Sequence, residues 1–341
     1  MATLKTKVTE LSTGLGMLGY QSAEQAIDDR PQSMVSVTPE LWDMLQIAYR
    51  GGGLSVEFET AFENGRRFLE SAKGLRGRVP IRIEWKGSHK NPGDEALPVD
   101  LRVDHVYLIS CKYLSKILHN SSPVRLFEHL LRGNIVTAAK DWFHETAPTQ
   151  YQSFYESTVQ ACDLAGSMPA KVIDLSGADR KLFQSKFSTK WPQPVQSSYQ
   201  EMCDSVSSQT AVIWNRRLSN KTERLNLLWR LLRMGSAPYF ILGANYSEAL
   251  ALMIATPWDF DQRYILQDFI VTAGQAGQPT VNWQAQITDR FSNSINEIFG
   301  HVEIRWSHGR FCGPPEAKVY LDTDHRLVPG YWSIGENSSL L

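Results

Sequence analysis

The sequence predicts an α/β (α+β) protein, and three observations carry that class. Apolar residues recur at helical spacing over 39–50 and 55–72. Short alternating runs at 80–86, 97–112 and 302–306 read as strands. Gly- and Pro-containing joints at 51–53, 87–95 and 191–194 separate the two kinds of segment. With 341 residues, 42% hydrophobic and 21% charged, the chain has a globular composition and can bury a sizeable core. The expected organisation is an N-terminal helical segment over 1–54, a nuclease-like core over 55–190 whose basis follows below, and a helical/strand region over 195–341, either a nucleic-acid-recognition region or part of one large domain.

In order, a polar segment runs to about Val37 and contains a short helix at Ser22–Ala26. Thr38 caps the next helix, with Pro39 in its first turn, and that helix ends at Gly51-Gly52-Gly53. No Gly-Lys-Ser/Thr follows these glycines, so they form no phosphate-cradling loop. The helix from Ser55 buries Phe58, Phe62 and Leu69 and carries Glu59 and Glu63 one turn apart. Pro80–Lys86 is a strand containing a literal Glu-X-Lys at Glu84-Trp85-Lys86. Ser122 caps a helix expected to reach His144, and Tyr151–Leu164 continues in helical register. A long helix or helix pair covers Ser197–Met234, with Leu225, Leu228, Trp229 and Leu232 as its apolar stripe. Short strands are expected at 238–243, 249–255 and 269–274, a helix at 288–299 with Phe291, Ile295 and Ile298 inward, and a strand pair within 301–324.

Composition excludes several function classes. No apolar run reaches membrane-spanning length and the chain begins with polar residues, so no membrane partner is expected. The 4 cysteines contain no Cys-X-X-Cys pair, which argues against zinc fingers and disulfide frameworks and fits a reducing cytoplasm. A net charge of −1 gives no global basic field. Locally, Arg216, Arg217, Lys221, Arg224, Arg230 and Arg233 gather positive charge that can track phosphates, or that simply makes a solvated helix face. His308, Arg310 and Lys318 surround a Gly/Pro turn and could contact phosphates or bases, or face solvent.

The central stretch is Leu97–Lys112, two strands joined at Asp104-His105-Val106. Pairing Val103 with Tyr107 sets Leu101 against Ile109 and Val99 against Cys111 on one apolar face, and a slip by one residue would mix the faces. Asp100, Ser110 and Lys112 then share the opposite face. A carboxylate beside an ammonium there can hold a divalent cation and position a water. The alternative is a surface hairpin whose ion pair contributes little.

Pro98-Val99-Asp100 followed by Ser110-Cys111-Lys112 resembles the core of the PD-(D/E)XK nuclease superfamily, in the Ser-X-Lys variant found in a subset of type II restriction endonucleases. The first motif has one residue inserted, and the acid of the second is replaced by serine. The resemblance spans about 55–140 and implies a restriction-endonuclease-like core, a central mixed sheet flanked by helices. It further implies Mg²⁺-dependent hydrolysis of phosphodiester bonds in DNA, with RNA as the other candidate substrate, by a homodimer or higher oligomer. By this resemblance Asp100 is the bridging metal ligand, the Cys111 carbonyl a further ligand, Lys112 the group that orients the water, and Ser110 a weak placeholder. Glu128, on the second turn after Ser122, would supply the missing carboxylate, with Glu59 and Glu63 as rival donors. A reading from another class is a non-catalytic nucleic-acid-binding or interaction subunit with a degenerate nuclease-like core.

Overall fold

The computed structural model describes all residues except 1–2, 88–97, 114–116, 129–140, 187–190, 245–248, 276, 308 and 335–341. The first elements are α1 (Leu4–Gly16), α2 (Ala23–Asp29), β1 (Met34–Val35), α3 (Pro39–Arg50), α4 (Ser55–Glu70), β2 (Ile83–Trp85), β3 (Leu101–Val103), β4 (Tyr107–Tyr113) and β5 (Ile117–Ser121). The middle holds α5 (Trp142–Thr146), α6 (Pro148–Ala161), α7 (Gly177–Lys186), α8 (Gln196–Arg217) and α9 (Lys221–Leu231). Then come β6 (Tyr239–Ala244), β7 (Ala249–Ile254), α10 (Pro257–Arg263), β8 (Tyr264–Gln275), β9 (Pro279–Asp289), β10 (Ile295–Arg305), β11 (Glu316–Leu321) and β12 (Tyr331–Ser333).

The chain forms two compact units, one of 1–115, 234–262 and 325–341, the other of 116–233 and 263–324. These cuts differ from the 54/55 and 190/195 divisions expected from the sequence. The reason is topological. β4 and β6 are parallel neighbours, so the chain must leave the sheet after β4 and return before β6; residues 116–233 of the second unit fill that excursion, and its remainder, 263–324, falls between β7 and β12.

The first unit is built on a seven-stranded mixed sheet in the order β1-β2-β3-β4-β6-β7-β12. One face is covered by α1 to α4, whose Leu11, Leu15, Leu45, Phe58 and Phe68 pack with Ile83, Leu101, Val103 and Ile109 of the sheet. The expected caps hold: the Ser22 hydroxyl accepts from Gln25 N–H at the start of α2, and Thr38 does the same for Leu41 at the start of α3. The polar opening segment expected to Val37 is in fact a buried helix, α1, in which Val8, Leu11 and Leu15 are fully covered. Its many threonines and glycines read as polar chain, but they permit a close crossing with α4. A Cβ on Gly16 would lie 2.0 Å from the Phe62 carbonyl oxygen, and one on Gly65 2.0 Å from that of Thr13. Thr13 also turns its hydroxyl onto the Thr9 carbonyl, which removes one donor from the apolar interface.

The second unit carries the five-stranded antiparallel sheet β5-β11-β10-β9-β8, with α8 packed on β8 and β9. The helix expected at 288–299 is absent: β9 ends at Asp289 and β10 begins at Ile295. The Asp289 carboxylate accepts from the N–H groups of Phe291 and Ser292, and Asn293 adopts φ 56°, which makes a tight turn. Phe291 and Ile295, expected inward, are 79% and 61% exposed. Burial alternates from Ile298 through Val302 to Ile304, a two-residue period that the chance helical spacing of Phe291, Ile295 and Ile298 masked. The long basic helix resolves into the pair α8 and α9, whose buried stripe is Leu227, Leu228, Leu231 and Leu232, while Leu225 and Trp229 are half-buried. After Ser122 the chain makes only a short π-helical turn over Val124–Glu128, and the rest of the helix expected to His144 falls outside the described residues up to Asp141.

Candidate active site on the β3–β4 hairpin

The hairpin adopts the expected register, with Leu101 opposite Ile109 and Val103 opposite Tyr107. Asp104 and His105 take positive φ in the turn, and the Asp104 carboxylate receives the N–H groups of Ile81 and Arg82. That ties β2 to the hairpin tip. Arg78 and these two N–H groups outweigh the effect of burial and hold the Asp104 carboxyl below its usual value.

β3 stays paired with β4 only as far as Leu101, while β4 pairs with β6 from Ile109 to Tyr113. Asp100 sits where the two strands part. Its backbone N–H donates to the Ile109 carbonyl (2.8 Å), and its Oδ2 accepts from the Cys111 N–H (2.7 Å) and the Ser110 hydroxyl (3.3 Å). The carboxylate thus stands in for the missing ladder partner of β4. It is half-buried, Ser110 is fully buried and Lys112 is half-buried on the same strand.

The two literal motifs of the sequence meet here. Glu84 lies opposite Arg102 and Trp85 opposite Leu101, so Lys86 falls next to Asp100, and the Lys86 N–H donates to the Asp100 carbonyl (2.9 Å). Trp85 turns toward α1, where its indole N–H donates to Glu10 Oε2 at 2.7 Å. Glu84 and Lys86 therefore point to the other side of the sheet, as Asp100, Ser110 and Lys112 do by alternation with Leu101, Ile109 and Cys111. The Lys86 ammonium is buried and lies 3.3 Å from Glu84 Oε1, and Arg102 approaches the other oxygen of Glu84 at 3.8 Å.

Cys111 faces the helices, as expected. Burial pushes its thiol well up, and the nearby charges of Asp100 and Glu10 push it the same way. It is a protonated core thiol, with no nucleophilic character. Next along β4, the Tyr113 hydroxyl bonds to Thr13 (2.7 Å) and to Asn64 (3.3 Å), and Asn64 also donates to the Gly243 carbonyl (2.7 Å). This web locks α1, α4 and β6 around the far end of the strand that carries Lys112.

The remaining candidates divide. Glu63 is on the surface of α4, in ion pairs with Arg66 and Arg67, and Glu59 accepts from the Tyr49 hydroxyl. Glu128 belongs to the second unit, with its side chain outside the described residues. Arg216, Arg217 and Lys221 lie at the α8–α9 junction; Arg216 and Lys221 are exposed. Arg224 is engaged internally, with the Leu218 carbonyl and Asp268, and Arg233 donates to the Leu118 carbonyl. Arg310 stacks over Trp191, 3.7 Å from the ring centroid, with burial lowering its pKa. His308 lies outside the described residues.

Sequence reading missed Glu10. It is 8% exposed on α1, and with Asp100 it acts on the Cys111 thiol. Its signal was a lone acid among apolar and small residues, on a segment read as polar chain. Among the described residues no group of three or more His, Cys, Asp or Glu side chains is placed to hold a metal. The Asp100 carboxylate fits magnesium, which binds through one or two carboxylates and fills its other positions with water and phosphate oxygens; Glu10 lies with Trp85 on the helix-covered side of the sheet. No family model matches the chain, and neither a curated protein nor a solved structure matches it.

Proposed function

We propose that the chain is a magnesium-dependent endonuclease acting on DNA, of the type II restriction or a related defence class. The observation that carries this reading is the Asp100 carboxylate at the mouth of the hairpin, with Ser110, Lys112 and Lys86 on the same side of the sheet. The hairpin belongs to a mixed sheet with helices α1 to α4 packed on one face, and this supports the reading at the level of a mixed α/β setting. Magnesium held there supplies charge neutralisation at the phosphate and a more acidic bound water. Asp100 would be its carboxylate ligand, while Glu63 is engaged by two arginines on the surface. The Cys111 carbonyl is the further oxygen ligand. Lys112 orients the attacking water and offsets phosphate charge.

Conversion of supercoiled plasmid in Mg²⁺, with EDTA as control, tests the assignment. Wild-type protein cuts, and Asp100→Asn and Lys112→Gln do not; an Asp100→Asn protein that cuts at the wild-type rate refutes it. A second reading, a non-catalytic nucleic-acid-binding subunit, is favoured by Ser110 in the place of an acid and by the donors already held by Asp100 Oδ2. Wild-type protein that binds duplex without cutting it supports that reading.

A further inference from the structure

Basic residues of the first unit concentrate between the end of α4 and the start of β2. From Glu63 to Arg82 the chain carries Arg66, Arg67, Lys73, Arg76, Arg78 and Arg82 against only Glu63 and Glu70, in a protein of net charge −1. Glu63 pairs with Arg66 and Arg67, and Lys73 donates to the Ser333 carbonyl. Beyond them Arg76, Arg78 and Arg82 are exposed. The backbone that presents them is fixed. The Leu75 and Gly77 N–H groups return to the Phe68 and Leu69 carbonyls at the end of α4, and Arg76 is held at φ 57°. Glycine or asparagine would sit there more easily, so strain is carried at the position of an exposed arginine.

Asp104 joins this segment to the β3–β4 turn. Its Oδ2 meets Arg78 at 2.6 Å, and its Oδ1 accepts from the N–H groups of Ile81 and Arg82, both at 2.9 Å. One carboxylate therefore fixes the 78–82 backbone, yet it pairs with only one of the three guanidiniums. The Arg82 side chain has no ion pair among the described residues. Aliphatic side chains crown the same turn: Val79, Ile81 and Val106 are 50%, 84% and 73% exposed. A single exposed aliphatic residue needs no explanation, but three at one turn, interleaved with arginines, form a patch.

We infer that this tip docks on duplex DNA: Arg76 and Arg82 bind backbone phosphates flanking the minor groove, and Ile81 enters the groove as an apolar wedge. The arginines select a polyanion. The aliphatic crown selects the minor groove, where an inserted apolar side chain opens a base step and bends the duplex. Arg78 is a positioning residue, acting through Asp104 on the backbone of Ile81 and Arg82. The inference rests on the nucleic-acid reading of the β3–β4 hairpin and adds an interface outside its catalytic residues. Asp100 and Asp104 bracket β3, about 13 Å apart at the rise of a strand. The tip therefore meets the duplex roughly four base pairs from the phosphate at Asp100.

The test uses the full chain and a duplex labelled at both ends, in EDTA so that no cleavage enters the readout. Fluorescence anisotropy across a salt series gives affinity, and energy transfer between the ends gives bending. Arg82→Gln and Arg76→Asn each flatten the slope of log K against log salt by about 0.9, one phosphate contact apiece. Asparagine suits the left-handed backbone at position 76, so that loss comes from the charge and not from the fold. Ile81→Ala weakens binding roughly tenfold and reduces the bend, with the salt slope unchanged. Wild-type slopes in both arginine variants overturn the inference, and so does an Ile81→Ala protein that bends the duplex as wild type does. Two further results overturn it by naming another occupant, each with duplex binding unaffected: loss of binding to phosphatidylserine vesicles in Ile81→Ala, or loss of a dimer in sedimentation. If Ile81→Ala does not fold, as judged by circular dichroism, the two arginine slopes decide. Failure of the nuclease reading is separable. Wild type that shows this binding pattern but does not cut in Mg²⁺ refutes catalysis alone, and wild type that cuts while its EDTA binding ignores these substitutions refutes the docking surface alone.

Discussion

Asp100 is expected to have two duties that substitution can separate. Its Oδ2 receives the Cys111 N–H at 2.7 Å, beyond the last β3–β4 pair among the described residues, Leu101 with Ile109. A charge-assisted bond of this kind contributes about 1.5–3 kcal/mol, and a buried N–H left without a partner costs about 1–3 kcal/mol. Asp100→Ala removes the acceptor entirely, so a loss of about 2 kcal/mol at this end of the hairpin is expected. Asp100→Asn retains a carbonyl oxygen for the same N–H and loses only the charge, so its stability should stay within about 0.5–1 kcal/mol of wild type. Global unfolding is a poor assay, because a chain with two compact units need not melt in one step. Native-state hydrogen exchange at the Cys111 amide reads the contact directly. A 2 kcal/mol loss corresponds to roughly 30-fold faster exchange in Asp100→Ala, with little change in Asp100→Asn. Cleavage should be lost in both. If the Cys111 amide of Asp100→Ala exchanges at the wild-type rate, the carboxylate does not stand in for the ladder; if Asp100→Asn keeps cutting, the carboxylate is not the metal ligand.

Gly65→Ala drives a methyl group into the Thr13 carbonyl oxygen, and backbone cannot give way as a side chain can, so a loss of 3 kcal/mol or more, roughly, is expected in urea titrations of the first unit. The Cys111 thiol keeps its proton in the folded state while the unfolded chain releases it near about pH 8.5; this contribution to stability is present below that value and declines as pH rises above it, by about 1.4 kcal/mol one unit higher. Correspondingly, Cys111 should resist a thiol reagent at about pH 8 in native protein and react only after denaturation. At the α8–α9 junction, replacing Arg217 and Lys221 with Ala should flatten the salt dependence of DNA binding by about 1.8 if both meet phosphates, and an unchanged slope makes the junction an ordinary solvated surface. Arg224 is left out of that pair because its ion pair with Asp268 would confound binding with stability.

Where local physics dominates, the chain was legible. Ser22, Thr38 and Pro39 mark helix starts by satisfying or lacking N–H groups, and those helices begin where expected. The β3–β4 register followed from burial of one face, because a slip by one residue would expose Leu101, Val103 and Ile109 together. The failures share a cause. α1 is defined by its contact with α4, and only a partner helix reveals that Gly16 and Gly65 are packing residues instead of breakers. The 288–299 segment has apolar residues at helical spacing, but Asp289 and Asn293 close a turn within it, and sheet pairing on both flanks prevailed over the spacing. The second unit, entered once between β4 and β6 and again between β7 and β12, leaves no compositional mark at residues 116 and 233.

The site was legible in part for the same reason. Asp100, Ser110 and Lys112 follow from alternation within one hairpin, whereas Lys86 enters through a strand pairing that only the fold supplies. This changes what serine at position 110 means. The family pattern invites Ser110→Glu as a repair that returns the missing ligand to the strand. The structure argues the opposite. Ser110 is fully buried, and its hydroxyl donates to Asp100 Oδ2 at 3.3 Å. A glutamate there must find room for extra heavy atoms in a packed site, at about 1–3 kcal/mol, and must place a second carboxylate beside the first without water between them. It also removes a hydrogen bond that Asp100 uses. Ser110→Glu should therefore destabilise the first unit by about 3 kcal/mol or more and should not raise cleavage above the wild-type rate. Ser110→Ala, which costs only the hydroxyl, should lose about 1 kcal/mol and retain the fold. A Ser110→Glu protein that unfolds at the wild-type urea concentration and gains Mg²⁺ affinity would show that the position opens to solvent, and that serine there is a substitution the site tolerates and not one that its packing requires.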